Sequence, residues 1–181
     1  EQKDDQVSIR LDKSYNHTDT IQLNLKYTLN KPVPGLLFID ATATNPLMVS
    51  SDCFPNKARQ WIPCYDYPND KVTTEMIVTV DKKYKVLSNG RLVSVKENDP
   101  QGTVTYHWSQ ELPHSTYLIN LRIADYAVLK DSLGSLPVNY WVYKGLEADA
   151  KTTFRKPPYM ISFYNKLYNY PYPWAKYDQV I

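Results

Sequence analysis

The chain has little of what self-contained catalytic sites are built from. Its three histidines, His17, His107 and His114, lie far apart, and no HExxH pair occurs, so no zinc site is expected within it. With five glycines there is neither a phosphate-cradling loop nor a Gly-x-Ser-x-Gly elbow. The two cysteines, Cys53 and Cys64, are too few for a metal centre and leave two readings open, a pair of thiols or one short-loop disulfide. A formal net charge of +2, dispersed along the chain, argues against nucleic acid or an anionic membrane as partner. No apolar run approaches the ~20 residues needed to cross a bilayer, so no membrane span is expected. The first residue is Glu1 rather than Met, as in a trimmed or mature form. The expected protein is soluble, either cytoplasmic or exported after signal-peptide removal.

What remains is an ordinary globular composition, 43% hydrophobic and 22% charged, in 181 residues. A chain of that length buries roughly 70% of its unfolded surface without staples. The 16 tyrosines are in excess and read as packing residues. Asn16-His17-Thr18 is a glycosylation sequon, meaningful only in a secreted eukaryotic protein.

Most of the chain has the period of two that marks half-buried strands. Ile21, Leu23, Leu25 and Tyr27 alternate with polar residues, as do Val7, Ile9 and Leu11, then Val104, Tyr106 and Trp108, then Tyr117, Ile119, Leu121 and Ile123. A further strand is predicted over 73–80. Ser88-Asn89-Gly90 between two apolar runs predicts a hairpin, and Asn98–Gly102 a second turn. His114, after Pro113, is placed in a turn. Beyond Gly134 one more strand, 138–143, precedes a change of period. Pro157-Pro158 can open a helix whose Met160, Ile161, Tyr164, Leu167 and Tyr168 share a face. Pro171 and Pro173 end it, and Tyr177–Ile181 reads as a strand cut short. The predicted fold is mostly β, an antiparallel saddle-like sandwich over 1–136. A strand, a helix at about 158–168 and a truncated strand follow over 137–181. Truncation should leave the Met160/Tyr164/Leu167 face to be covered by the β-domain or by a second copy, or else poorly ordered.

The densest chemistry lies in 58-ARQWIPCYDYPND-70. Arg59 and Asp66 can form an ion pair across Pro63, Trp61 and Ile62 can anchor the loop, and Cys64 serves as a small hydrophobe. A nucleophilic Cys64 would need an activating neighbour that the sequence does not place beside it. Asp66 and Asp70, near Pro68, are read as turn-capping residues rather than an acid–base pair.

The run Ala58-Arg59-x-x-x-Pro63-Cys64-x-Asp66-x-Pro68 resembles a signature of the aminopeptidase N family, zinc gluzincin metallopeptidases that include leukotriene hydrolase. Three further stretches resemble the family in the same order. They are Met76–Val80 followed by Leu87–Gly90, Pro113-His114-Ser115-Thr116-Tyr117-Leu118, and Tyr170-Pro171-Tyr172-Pro173-Trp174-Ala175-Lys176-Tyr177-Asp178. Together they span roughly 23–181. The resemblance implies an N-terminal β-domain and the opening of a thermolysin-like catalytic domain. The zinc ligands, the glutamate base and the Gly-x-Met-Glu-Asn strand would then lie downstream, in the parent protein. The implied partners are that downstream domain and a peptide substrate.

In relatives a Gln or Glu before the Ala-Arg motif accepts the substrate's α-ammonium. The matching positions here are Asp52 and Phe54, and Phe54 offers no acceptor. Either Asp52 supplies the charge, or the loop is remodelled and Asp52 faces water. Two other readings differ in class. One is a homologue without catalysis that serves as an interaction scaffold; the other is a free-standing carbohydrate- or protein-binding sandwich.

Overall fold

A computed structural model of the chain describes residues 2–3, 6–29, 33–43 and 46–181, in two compact units, 1–30 and 31–181. In the first unit β1 (Gln2–Lys3) pairs antiparallel with β2 (Gln6–Val7). A turn at 16–19 is held by Thr18 N–H donating to Asn16 Oδ1 at 2.9 Å. The strands expected through Ile9 and Leu11 and through Ile21–Tyr27 are not formed: residues 8–29 contain no strand, and both sets of apolar side chains are exposed. Alternation decides which side chains a strand would bury. It does not supply the partner whose N–H and C=O groups the backbone must meet.

The second unit runs β3 (Leu36–Ile39), β4 (Met48–Ser51), β5 (Lys71–Asp81), β6 (Lys85–Ser88), β7 (Arg91–Asn98), β8 (Thr103–Ser115), β9 (Leu121–Ala124), β10 (Tyr126–Leu133), β11 (Leu136–Tyr143), α1 (Glu147–Thr153), α2 (Pro157–Leu167) and β12 (Tyr177–Val180). They form three sheets, ordered β3-β4-β9-β6, β5-β8-β7 and β10-β11-β12. Every pairing is antiparallel except β11 with β12.

The longest pairing follows directly from sequence. On β5 the alternation turns Met76, Val78 and Val80 inward, opposite Trp108, Tyr106 and Val104 of β8. That inner face meets Val86, Leu87, Leu121, Ile123 and Tyr126 in one core. Trp108 Nε1 donates to the Val86 carbonyl at 3.2 Å, so the indole's polar edge is satisfied where its ring is buried.

The Ser88-Asn89-Gly90 turn does not make a hairpin. β6 pairs with β9 and β7 with β8, so the turn carries the chain from one sheet to another. Asn89 closes it by donating to Leu118 O at 2.9 Å and accepting from Asn120 N–H at 2.6 Å. Gly90 is at φ +74°, and a Cβ there would lie 2.0 Å from the Ser109 carbonyl oxygen, so only glycine fits. Turn chemistry fixes a local reversal without choosing the strand's partner. Likewise the strand expected from Tyr117 starts later, because Thr116–Leu118 form a 3₁₀ turn before β9. His114 lies inside β8 rather than in a turn.

Helix α2 opens on Pro157 and Pro158, as expected. Of its apolar face only Ile161 is buried, against Val138 and Tyr140, while Met160, Tyr164, Leu167 and Tyr168 are exposed. The expected cover for that face is therefore not supplied by the β-sheets. A helix resting on one sheet buries one row of side chains, and this helix carries more apolar surface than one row. The short α1 was not foreseen; Glu147 and Asp149 in its first turn, after Gly145, are its only sequence signals.

Candidate functional site

The loop between β4 and β5 is fixed from both ends. Asp52 N–H donates to Gly35 O at 2.9 Å, and a 3₁₀ turn over Ala58–Gln60 buries Ala58 and leads into Trp61. Trp61 is buried, with Nε1 3.4 Å from the Cys53 sulfur. Asp66, only 3% exposed, is the hub. Its carboxylate accepts from the Arg59 backbone N–H at 3.1 Å, from Arg59 Nε at 3.5 Å and from the Thr116 hydroxyl. Arg59 Nη2 also donates to the Asp66 carbonyl at 2.7 Å, and its guanidinium lies 5.0 Å from the Tyr67 ring centre. The Pro68 carbonyl accepts from Ser115 Oγ at 3.0 Å. Pro63 and Pro68 themselves are exposed and shape the backbone. The charged groups of Arg59 and Asp66 are thus occupied by each other and by Thr116.

Neither cysteine has the profile of a nucleophile. Both are free thiols, and burial pushes Cys64 up to about 11 and raises Cys53, so neither is a thiolate at neutral pH. Cys53 is enclosed while its neighbours Asp52 and Phe54 both point outward. Asp52 is bound by Lys57, Nζ to Oδ2 at 2.6 Å, and that bond holds its carboxyl below the ordinary range. Phe54 is 64% exposed and meets Tyr117 edge to face, with ring centres 5.8 Å apart.

A second locality, not singled out by the sequence as a site, is a pocket of about 420 Å³ between the Leu87–Gly90 corner, β9 and the 172–180 segment. One wall holds a largely enclosed ion pair. Lys176 bonds Asp178, whose Oδ1 also accepts Trp141 Nε1 at 3.0 Å and Asn139 Nδ2 at 2.8 Å. The Lys176 ammonium lies 4.8 Å from the Trp108 ring centre, and burial lowers its proton affinity against the pull of Asp178. His114, also lining the pocket, is buried between Ser115 O at 3.1 Å and Thr74 Oγ1 at 2.9 Å, and burial lowers its pKa. Arg122 projects from the middle of β9, opposite Ser50 and Leu87, and donates to Ser50 Oγ. The signal available for it was a lone cation inside the apolar run Leu121–Ala124. Among the described residues no three His, Cys, Asp or Glu converge to hold a metal ion. No described helix is long and apolar enough to cross a membrane.

A mostly β domain whose cross-sheet core is closed by a carboxylate-braced Pro-Cys-x-Asp-x-Pro loop is the class defined by this geometry. A family model described as Peptidase M1 N-terminal domain matches residues 1–118, and the chain belongs to that family. It is similar to the transcription initiation factor TFIID subunit 2 of Drosophila melanogaster, 26% identical over 88% of this chain and 14% of that protein. It is similar to the leucyl aminopeptidase of Saccharolobus solfataricus, 30% identical over 71% of this chain and 16% of that protein. A third relative is the endoplasmic reticulum aminopeptidase 1 of Mus musculus, 26% identical over 73% of this chain and 14% of that protein. The chain thus spans 14–16% of the length of these three relatives.

Proposed function

We propose that this chain is the non-catalytic N-terminal portion of a zinc-dependent aminopeptidase whose full-length parent removes N-terminal residues from peptides. The observation that carries this is the family match over residues 1–118, together with aminopeptidase relatives several times longer than the chain. On this reading, 1–136 is the family's β-domain and 137–181 opens the catalytic domain. The exposed face of α2 is where the downstream domain packs. The parent's zinc and its activated water belong to that downstream part. This chain's own contribution is structural support, with Asp52 and Phe54 at the substrate end. Asp52 reaches a substrate ammonium by exchanging its Lys57 partner, so the affinity gained is the difference between two similar ion pairs.

The test is full-length protein assayed on an unblocked aminoacyl anilide before and after zinc chelation. Turnover lost on chelation and restored by zinc supports the proposal, as does an inert 1–181 chain; a zinc-loaded, folded parent without turnover counts against it. Asp52→Ala should raise KM for unblocked substrates by less than about tenfold with kcat preserved; an unchanged KM removes Asp52 from the site.

A second reading is favoured by one observation. One of the two relatives that cover 88% of this chain is named as a transcription initiation factor subunit, the other as an aminopeptidase. On that reading the parent is a catalytically inactive scaffold for other proteins, and Phe54 is one sign of a lost amine site. Elemental analysis separates the two, because a scaffold parent would purify without stoichiometric zinc.

A further inference from the structure

Charge matching in the pocket leaves one cation over. Asp178 is saturated by Lys176, Trp141 and Asn139. Burial disfavours the charged form of His114, and in the neutral ring an Nδ1–H donating to the Ser115 carbonyl leaves Nε2 to accept from the Thr74 hydroxyl. Arg122 donates to Ser50 Oγ, and none of the ion pairs among the described residues includes it. Asp52 feels the Arg122 charge only weakly and is bonded to Lys57. A guanidinium has five donors in a planar fork, and half-buried on a central strand it cannot turn away to bulk water as a surface lysine does.

We propose that the pocket at Arg122 binds a small monocarboxylate with an apolar body. One unmatched cation fits a monoanion, while a phosphate dianion would leave charge uncompensated in a partly desolvated site. Asn120, two residues before Arg122, also lines the pocket and offers it a carboxamide. Leu87, Leu118 and Trp174 wall the remainder and receive the apolar body. The volume of about 420 Å³ is within the range of small-ligand sites, roughly 300–1,000 Å³. The inference does not depend on the aminopeptidase reading, and its test does not use hydrolysis.

The experiment is calorimetric titration of the full-length protein with 4-methylpentanoate, with 4-methylpentanamide and inorganic phosphate as comparators. The carboxylate should saturate and bind at least about tenfold tighter than the neutral amide, the difference expected for hydrogen bonds to a charged group. Arg122→Met should weaken the carboxylate by about the same factor and leave the amide unmoved, and Arg122→Lys should lose less. Equal binding of carboxylate and amide, tighter binding of phosphate, unchanged binding in Arg122→Met, or no saturable binding would each overturn the proposal. If Arg122→Met does not fold, the carboxylate-to-amide ratio of the unsubstituted protein decides. Trp174→Ala then serves as the second variant, weakening both ligands alike if the apolar wall is assigned correctly.

Discussion

The 58–68 loop and the Arg122 pocket contain similar residue types and solve their electrostatics in opposite ways. In the loop the buried carboxylate of Asp66 takes three donors, and the arginine that pairs with it also braces a carbonyl and faces an aromatic ring. In the pocket a second enclosed carboxylate, Asp178, is matched internally, yet a second cation, Arg122, lines the same cavity. A dense motif is therefore no guide to where a ligand goes: the loop's charges are used up in holding its shape, and the spare one sits where the sequence looked plain.

The comparison is broken most forcefully at Asp178. Asp178→Ala leaves Lys176, 14% exposed, without its partner and should destabilise the protein by ~3–5 kcal/mol in urea unfolding. Were the loss under 1 kcal/mol, the pocket wall would be more hydrated than its burial implies. Asp66→Ala is expected to be less severe, ~2–3 kcal/mol, because Arg59 lies closer to solvent and rehydrates when released.

The smallest effect is a pH dependence from His114. Its folded pKa lies below the ordinary 6.5, so the unfolded chain takes up the proton first. Its contribution is thus fully present above about pH 6.5 and is lost as pH falls from there through the folded value. His114→Gln should flatten the stability profile as pH falls below about 6.5, while a slope unchanged by the substitution would assign it to other groups.

Much of the second unit could be read from period alone. β5 and the first half of β8 alternate because one face of each is buried, and α2 announces itself by paired prolines and a helical stripe. Asn89-Gly90 marked a reversal but not the change of sheet, since strand partners are chosen by the core and not by the turn. Ile21–Tyr27 had the right alternation and acquired no ladder, because pairing is a property of two segments. At the site, Arg59 and Asp66 were legible through opposite charge across a proline. Arg122 was not, because a single arginine in a strand looks the same whether it is solvated or lines a pocket. Asp52 and Phe54 were named through resemblance, and nothing in the residue pattern marks Lys57 as the partner of Asp52.

The claim that the 58–68 loop maintains shape and performs no chemistry is tested most directly by a double-mutant cycle on Arg59→Ala and Asp66→Ala in the full-length protein, with stability and turnover measured on the same samples. The account predicts a coupling of about 1–3 kcal/mol in unfolding free energy, with kcat/KM per folded molecule unchanged within about twofold. Wild-type stability accompanied by a collapse in kcat/KM would contradict it.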